Sequence, residues 1–93
     1  MNIVSFKHKG LEAFYTTGSN KGIKVEHAKK LKLIFNAIEL AQEVESLNIS
    51  AFCLHPLKGD RQGTWSITVR ANWRITFAVK GSECQLLDYE DYH

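Results

Sequence analysis

The sequence is poor in cysteine and proline and contains no long hydrophobic run. Its 93 residues include two cysteines and one proline, and no apolar stretch approaches the ~18 residues that a membrane-spanning helix needs. Cys53 and Cys84 form no Cys-x-x-Cys pair and have no histidine at zinc spacing, so we interpret both as small core residues. The first residues lack the apolar stretch of a secretory signal. We therefore expect a cytoplasmic protein without a membrane partner.

Several sequence signatures of enzyme chemistry are also absent. The chain has no glycine-rich phosphate loop, no His-Glu-x-x-His pair and no nucleophile elbow. The carboxylates near its end lack the glycine of a calcium-binding loop. We therefore expect neither a metal ion nor another cofactor.

What is present is the composition of one small globular domain. Hydrophobic residues make up 44% of the chain and charged residues 24%, without a low-complexity segment. Two domains within this length would each be too small to bury a core. We therefore predict a single domain over residues 1–93.

The net charge of +2 hides an uneven distribution. Basic residues are in excess in residues 1–32 and 54–75, and acidic residues in the rest of the chain. The second basic block contains all three arginines, Arg61, Arg70 and Arg74. Because the planar guanidinium group matches the geometry of a phosphate, this cluster predicts an anion site; scattered surface cations are the alternative.

Helical periodicity dominates the first half of the chain. Leu11, Phe14 and Tyr15 stand at helical spacing, and Gly18 follows as a stop signal, which predicts a short helix. An apolar stripe with the same period predicts a second helix from residue 26 to about residue 46. We expect the stripe to face the core.

Apolar and polar residues alternate in the second half. The alternation predicts three sequential antiparallel strands at residues 64–70, 73–79 and 84–89, with a tight turn at Ala71-Asn72. Ile3–Phe6 is predicted as a further short strand. The two N-terminal helices would cover the apolar side of the strands. We therefore predict an α+β fold, a small antiparallel sheet with two helices packed on one face.

The polar side of this sheet is the candidate functional surface. Strand alternation predicts that Arg70 and Arg74 both project from the uncovered face, beside the Ala71-Asn72 turn. The loop of residues 55–63 leads into the same hairpin, and residues 88–93 follow the last strand. We expect loop, hairpin and tail to meet on this face.

The residue types on that surface are those of an RNA site. Cations neutralise phosphates, a tyrosine stacks on a base, and His55 and His93 are natural proton carriers near neutral pH. Such groups support RNA cleavage without a metal, in which the 2′-hydroxyl attacks the adjacent phosphorus. Taken singly, a loop histidine is more often a plain surface residue, and a terminal one is more often frayed.

Three segments of the sequence together resemble the HigB toxins of the RelE superfamily, which belong to bacterial toxin–antitoxin modules. They are His55-Pro56-Leu57-Lys58-Gly59-Asp60-Arg61, the stretch from Trp65 through Arg70 to Asn72-Trp73-Arg74-Ile75, and the terminal Asp91-Tyr92-His93. The resemblance extends over the whole chain and begins at Ser5-Phe6-Lys7-His8-Lys9-Gly10-Leu11.

This resemblance implies a microbial-RNase-like fold and an mRNA interferase that cuts codons in the ribosomal A site. It also implies a helix-turn-helix antitoxin of the HigA type, which would link the toxin indirectly to operator DNA. The positions that match the family's site are His55, Lys58, Arg70, Arg74, Asp91, Tyr92 and His93. Spacing and charge add Arg61 to the RNA-binding set formed by Lys58, Arg70 and Arg74.

The prediction from sequence is thus a ribosome-dependent endoribonuclease toxin. In it, the basic residues hold the scissile phosphate, Tyr92 positions the nucleotide, and His55, Asp91 and His93 move protons or orient the substrate. The alternative is a non-catalytic member of the module that binds RNA or the ribosome, or acts with the antitoxin on operator DNA.

Overall fold

A computed structural model describes residues 1–92 of the chain. These residues form two α-helices, α1 (Lys9–Thr17) and α2 (Ala28–Leu40), and five strands. The strands are β1 (Asn2–Ile3), β2 (His55–Pro56), β3 (Thr64–Arg70), β4 (Trp73–Lys80) and β5 (Glu83–Asp91). The predicted α+β architecture is confirmed. None of the helices among these residues is long and apolar enough to cross a membrane.

Helix α1 has a clear start and stop. The Nδ1 atom of His8 accepts a hydrogen bond from the Leu11 backbone N–H at 2.9 Å, which satisfies a free donor of the first turn. The helix ends where Gly18 takes a φ of 81°, a left-handed conformation that glycine adopts without strain. The predicted stop at Gly18 is therefore confirmed.

Helix α2 is shorter than the sequence predicts. Its stripe of Leu31, Ile34, Phe35 and Ile38 is buried as expected, but the backbone becomes extended at Ala41. The α-amino group of Met1 donates to the carbonyl oxygens of Ile38 at 2.9 Å and Glu39 at 3.3 Å, and so supplies a donor to the last turn of the helix. The prediction of a helix to residue 46 was wrong. Val44 is buried as the apolar stripe suggested, but it belongs to a separate 3₁₀ turn, Val44–Leu47.

The sheet contains more strands than the three that alternation predicts. Its order is β1-β5-β4-β3-β2, with β1 parallel to β5 and the other pairs antiparallel. The first strand is shorter than Ile3–Phe6, although Phe6 still makes an isolated bridge to Leu87. The last strand continues to Asp91 instead of ending at Tyr89, because β4 offers it pairing partners as far as Trp73.

Both helices pack on one face of the sheet, where the core lies. That face contributes buried apolar side chains, among them Ile67, Ile75, Phe77, Leu87 and Tyr89. Cys84 belongs to this core as predicted, but Cys53 is exposed, so its interpretation as a core residue was wrong. The helices leave the opposite face of the sheet available for other groups.

Candidate active site

The face of the sheet opposite the helices carries two rows of aligned polar side chains. Strand register places Thr68, Arg74 and Glu90 side by side in one row. It places Ser66, Thr76 and Asp88 in the next row, which His55 extends to the edge strand through its pairing with Ser66. Paired residues in neighbouring strands project to the same side of a sheet, so these groups share one surface.

The loop between β2 and β3 crosses this surface and is held there by an ion pair. Arg61 contacts Glu90 through two bonds, Nη1 to Oε1 at 3.1 Å and Nη2 to Oε2 at 2.6 Å. Thr76 Oγ1 donates to the same carboxylate at 2.6 Å. Thr76, which this cluster covers, and its neighbour Ser66 are both buried, so the expectation of an uncovered face was wrong at these two positions.

Arg74 lies between Glu90 and Tyr92. Its Nη2 atom is 3.5 Å from Glu90 Oε1, and its guanidinium carbon is 4.2 Å from the centre of the Tyr92 ring. The Tyr92 backbone N–H donates to the Asn72 carbonyl oxygen at 2.8 Å, which fixes the chain beyond β5. Only 12% of the Arg74 side chain is exposed, so Arg74 is a supported residue rather than a freely solvated one.

Within this cluster two arginines surround the single Glu90 carboxylate, and Asp88 in the neighbouring row also acts on Arg61. Hydrogen bonds from Arg61 lower the pKa of Glu90 from its ordinary 4.5 to about 2, against the opposing effect of burial, which raises it. The same hydrogen bond raises the pKa of Arg61. Glu90 therefore stays ionised between two permanently charged arginines, and the three groups together attract an anion such as a phosphate.

Arg70 does not share a face with Arg74, which corrects the sequence-based expectation. The register of β3 shifts between Thr68 and Arg70, so Arg70 pairs with Trp73. Trp73 and the buried Tyr89 pack ring against ring on the helix side, with centres 4.5 Å apart. The extra residue in β3 turns Arg70 to that side because a one-residue slip reverses the faces of a strand.

Asp91, like Arg70, is directed to the helix side of the sheet. It pairs with Trp73 across β4 and β5, whereas its neighbour Glu90 pairs with Arg74. Alternation along β5 therefore directs Asp91 to the helix side and Glu90 to the opposite side. The expectation that segment 88–93 gathers on one face is correct for Asp88, Glu90 and Tyr92 and wrong for Tyr89 and Asp91.

Two of the remaining predicted residues, His55 and Lys58, lie near the β2 edge of the sheet. His55 is exposed, and its Nδ1 atom is 3.1 Å from the Cys53 carbonyl oxygen. Lys58 is exposed and immediately precedes the 3₁₀ turn Gly59–Arg61. His93 lies outside the described residues. Among residues 1–92, no three His, Cys, Asp or Glu side chains converge in a way that would hold a metal ion.

Sequence reasoning missed Glu90, although it is the residue that joins loop, hairpin and tail. The available signal was alternation: Glu90 follows the apolar Tyr89 and therefore belongs to the polar face. Its position beside Arg74 depends on the register of β4 against β5, which that alternation does not specify.

Comparison with known proteins identifies relatives of this chain. Residues 4–93 match a family model described as RelE-like toxin of the type II toxin–antitoxin system HigB. A protein of Proteus vulgaris named Endoribonuclease HigB is 48% identical over 91 residues, which cover 98% of this chain and 99% of that protein.

Two solved structures share the fold. The YoeB/ParE toxin from Agrobacterium tumefaciens has a TM-score of 0.64 and 22% identity, with 100% of both chains covered. The YoeB dimer from Staphylococcus aureus has a TM-score of 0.64 and 15% identity, with 100% of this chain and 97% of that chain covered.

Proposed function

The chain belongs to the HigB-like family of RelE-like toxins of type II toxin–antitoxin systems, and from that premise we propose how it acts on RNA. It is an endoribonuclease toxin with an RNA substrate and an antitoxin partner. We propose further that it cuts messages in the A site of the ribosome. Its antitoxin would be a helix-turn-helix protein of the HigA type, through which the toxin reaches operator DNA.

The observation that carries this proposal is the Arg74 guanidinium held between Glu90 and the Tyr92 ring. A guanidinium fixed on two sides loses little freedom when it binds a phosphate, so it stabilises a transition state effectively. Tyr92 is 63% exposed, which leaves ring surface available for a base. Phosphate binding and base stacking thus meet at one point of the surface.

In the proposed reaction, the 2′-oxygen of the RNA attacks the neighbouring phosphorus. A bond from the 2′-oxygen to phosphorus forms, the bond to the 5′-oxygen breaks, and a cyclic phosphate and a 5′-hydroxyl result. One group removes the 2′-proton and another delivers a proton to the departing 5′-oxygen. We assign these transfers to His55 and His93. Asp91 is directed to the other side of the sheet and takes no direct part in them.

Charge stabilisation is assigned to the basic residues. Arg74 and Lys58 would contact the phosphate as negative charge builds up on its oxygens. Arg61 would act mainly through Glu90, because its guanidinium group already engages that carboxylate with two hydrogen bonds. Arg70, which is directed to the other side of the hairpin, would bind a different part of the RNA.

The test is cleavage of a defined message on programmed ribosomes by purified protein, followed by primer extension. We expect cuts at the A-site codon and no comparable cutting of the same message free in solution. Folded Arg74→Ala protein is the matched control. Intact ribosome-bound message with folded wild-type protein would overturn the endoribonuclease proposal, whereas equal cutting of free message would remove only the ribosome dependence.

A further inference from the structure

A cavity on the helix side of the β3–β4 hairpin is separate from the Arg74 cluster. It has a volume of about 350 Å³ and is lined by Lys24, Glu26, His27, Arg70, Ala71 and Trp73. Cavities of roughly 300 Å³ or more are large enough for a small ligand group such as a nucleotide. None of the reaction steps described above uses Lys24 or His27.

One wall of this cavity is an ordered aromatic stack. The centres of the Trp73 and Tyr89 rings are 4.5 Å apart, and the centres of the His27 and Trp73 rings are 5.7 Å apart. His27 Nδ1 is 2.5 Å from the Tyr89 hydroxyl, and both side chains are buried. Trp73 is therefore held in place by its neighbours and offers a preformed surface to a planar ligand.

The charges at the rim come from exposed side chains. Lys24 Nζ lies 5.6 Å from the Trp73 ring centre, and its backbone N–H donates to the Tyr89 hydroxyl at 3.3 Å. Arg70 is exposed on the opposite rim, and Glu26 is the acidic member of the lining. Burial lowers the pKa of His27; Glu26 opposes this effect, and Lys24 and Arg70 add to it, so the neutral form of the ring is favoured.

The lining carries two cations and one carboxylate, and the Asp91 carboxylate follows beside Trp73 on the same side of the sheet. This nearly balanced charge disfavours a polyanion, whereas the exposed fork of Arg70 suits the oxygens of one phosphodiester group. The aromatic wall matches a base attached to that phosphate. An acidic peptide would find the same charge, but it would not use the ring surface of Trp73.

We propose that this cavity is a second RNA-binding subsite, in which Lys24 and Arg70 hold a phosphodiester and Trp73 contacts the adjoining base. The proposal rests on the proposed function and extends it. Because Arg70 and Arg74 flank one tight turn but face opposite sides of the sheet, an RNA strand that touches both bends around the Ala71-Asn72 turn. Arg74 then serves the scissile phosphate and Arg70 another phosphate.

The first experiment compares a Lys24→Ala, Arg70→Ala double variant with a charge-matched control, Lys29→Ala, Lys80→Ala. All four side chains are exposed, and the control positions line neither this cavity nor the Arg74 cluster. We expect the ribosome concentration for half-maximal cleavage to rise at least about tenfold for the first variant only, because a phosphate contact is lost. The single-turnover rate at saturation should change less than about threefold, since the reacting groups remain.

A second readout is independent of cleavage. Binding of a single-stranded RNA with a 2′-deoxy residue at the cleavage position is followed by Trp73 fluorescence in a folded Trp65→Phe background. We expect quenching with the parent and control proteins and its loss in the double variant. The slope of log affinity against log salt should fall by about 0.7 for each phosphate contact removed.

The phosphate that binds here belongs either to the message or to ribosomal RNA, and a third arm separates the two. Neutral methylphosphonates are placed one at a time beside the scissile bond of the message. If one of them weakens cleavage by the parent protein but not by the double variant, the message supplies the phosphate. If none does, and the double variant loses affinity for ribosomes with an empty A site, ribosomal RNA supplies it.

Two results would overturn the subsite. One is a double variant that matches the control in half-maximal concentration, quenching and salt slope. The other is unchanged RNA binding together with weakened neutralisation by the antitoxin, which would assign the cavity to a protein partner. A parent protein that binds the RNA with Trp73 quenching but never cuts it would contradict the proposed function while leaving the subsite supported.

Discussion

At the scale of single side chains, Glu90 links three parts of the chain that are distant in sequence. It accepts two hydrogen bonds from Arg61 of the β2–β3 loop and one from Thr76 of β4, and it neutralises part of the Arg74 charge. The β2–β3 loop, which Glu90 holds in place, also contains Lys58, and His55 lies in β2 just before it. An ionised carboxylate in this position therefore orders the groups to which we assign phosphate binding and proton transfer.

Replacing Glu90 by glutamine should make stability less sensitive to acid. The pKa of Glu90 is about 2 in the folded protein against an ordinary 4.5, so its ionised form stabilises the fold above pH 4.5. This contribution is lost as the pH falls from 4.5 toward 2. Acid unfolding followed by circular dichroism should show a shallower loss of stability over that interval in Glu90→Gln than in wild type. The exposed Glu43→Gln serves as control, and parallel curves for wild type and Glu90→Gln would contradict the role of the ion pair.

Arg74→Ala should reduce cleavage by at least about 10²-fold, the scale of losing one contact to a transition-state charge. It should also lower the free energy of unfolding by about 1 kcal/mol, because Glu90 and Tyr92 each lose a neighbour. A change without effect on stability would fit a freely solvated side chain, but Arg74 is only 12% exposed.

Single-turnover cleavage and urea unfolding measure the two effects of Arg74→Ala. Arg74→Lys keeps the charge but not the planar fork, so it should recover stability better than activity. Undiminished cleavage by Arg74→Ala would remove Arg74 from the reaction.

At the scale of secondary-structure elements, Gly10 and Gly22 allow α1 to pack closely against the segment that follows it. A Cβ atom built on Gly10 would lie 2.6 Å from the Gly22 Cα atom, and one built on Gly22 would lie 2.3 Å from the Gly10 Cα atom. Both obstacles are backbone and cannot rotate away. The segment between α1 and α2, which leads to Lys24 and His27, therefore depends on this close approach.

Gly10→Ala should lower the free energy of unfolding by about 1–3 kcal/mol, the usual cost of forcing extra atoms into a packed region. Ordinary helix propensity alone would give the opposite sign, since alanine is the better helix former. Thermal and urea unfolding distinguish the two. Asn36→Ala, an exposed change within α2, is the matched control, and a Gly10→Ala protein as stable as this control would show that the backbone gives way easily.

At the scale of the whole molecule, β5 and Tyr92 tie the last described residues to the sheet. Strand β5 reaches Asp91, and the Tyr92 backbone N–H bonds to Asn72 at the hairpin turn. The core that holds the fold together lies elsewhere, between the helices and the inner face of the sheet. Loss of the last residues should therefore affect activity far more than folding.

Deleting residues 92–93 should abolish cleavage on programmed ribosomes while the circular dichroism spectrum stays close to that of wild type. The deletion removes the ring that supports Arg74 and one of the two histidines assigned to proton transfer. Tyr92→Phe is the control, because it keeps the ring and should retain most of the activity. If the truncated protein cuts at the wild-type rate, the chemistry belongs to His55 and the basic loop.

Periodicity and composition alone located the two α-helices and the three long strands, although not all of their ends. The spacing of Leu11 and Phe14, the stop at Gly18 and the alternation from Thr64 to Val79 were sufficient for the α+β architecture, because they report local propensity and burial. The same logic failed at Ala41, where the α-amino group of Met1, from the other end of the chain, caps α2. The resemblance of the sequence to the HigB toxins correctly identified the family.

Only the tertiary structure decided which of the candidate residues meet. Strict alternation from Thr64 would place Arg70 beside Arg74, but the irregular register of β3 turns Arg70 toward Trp73 and His27. Alternation likewise puts Glu90 on the polar face but does not match it with Arg61, which lies 29 positions earlier. Strand register and loop path depend on contacts between residues far apart in sequence, and local patterns carry little information about them.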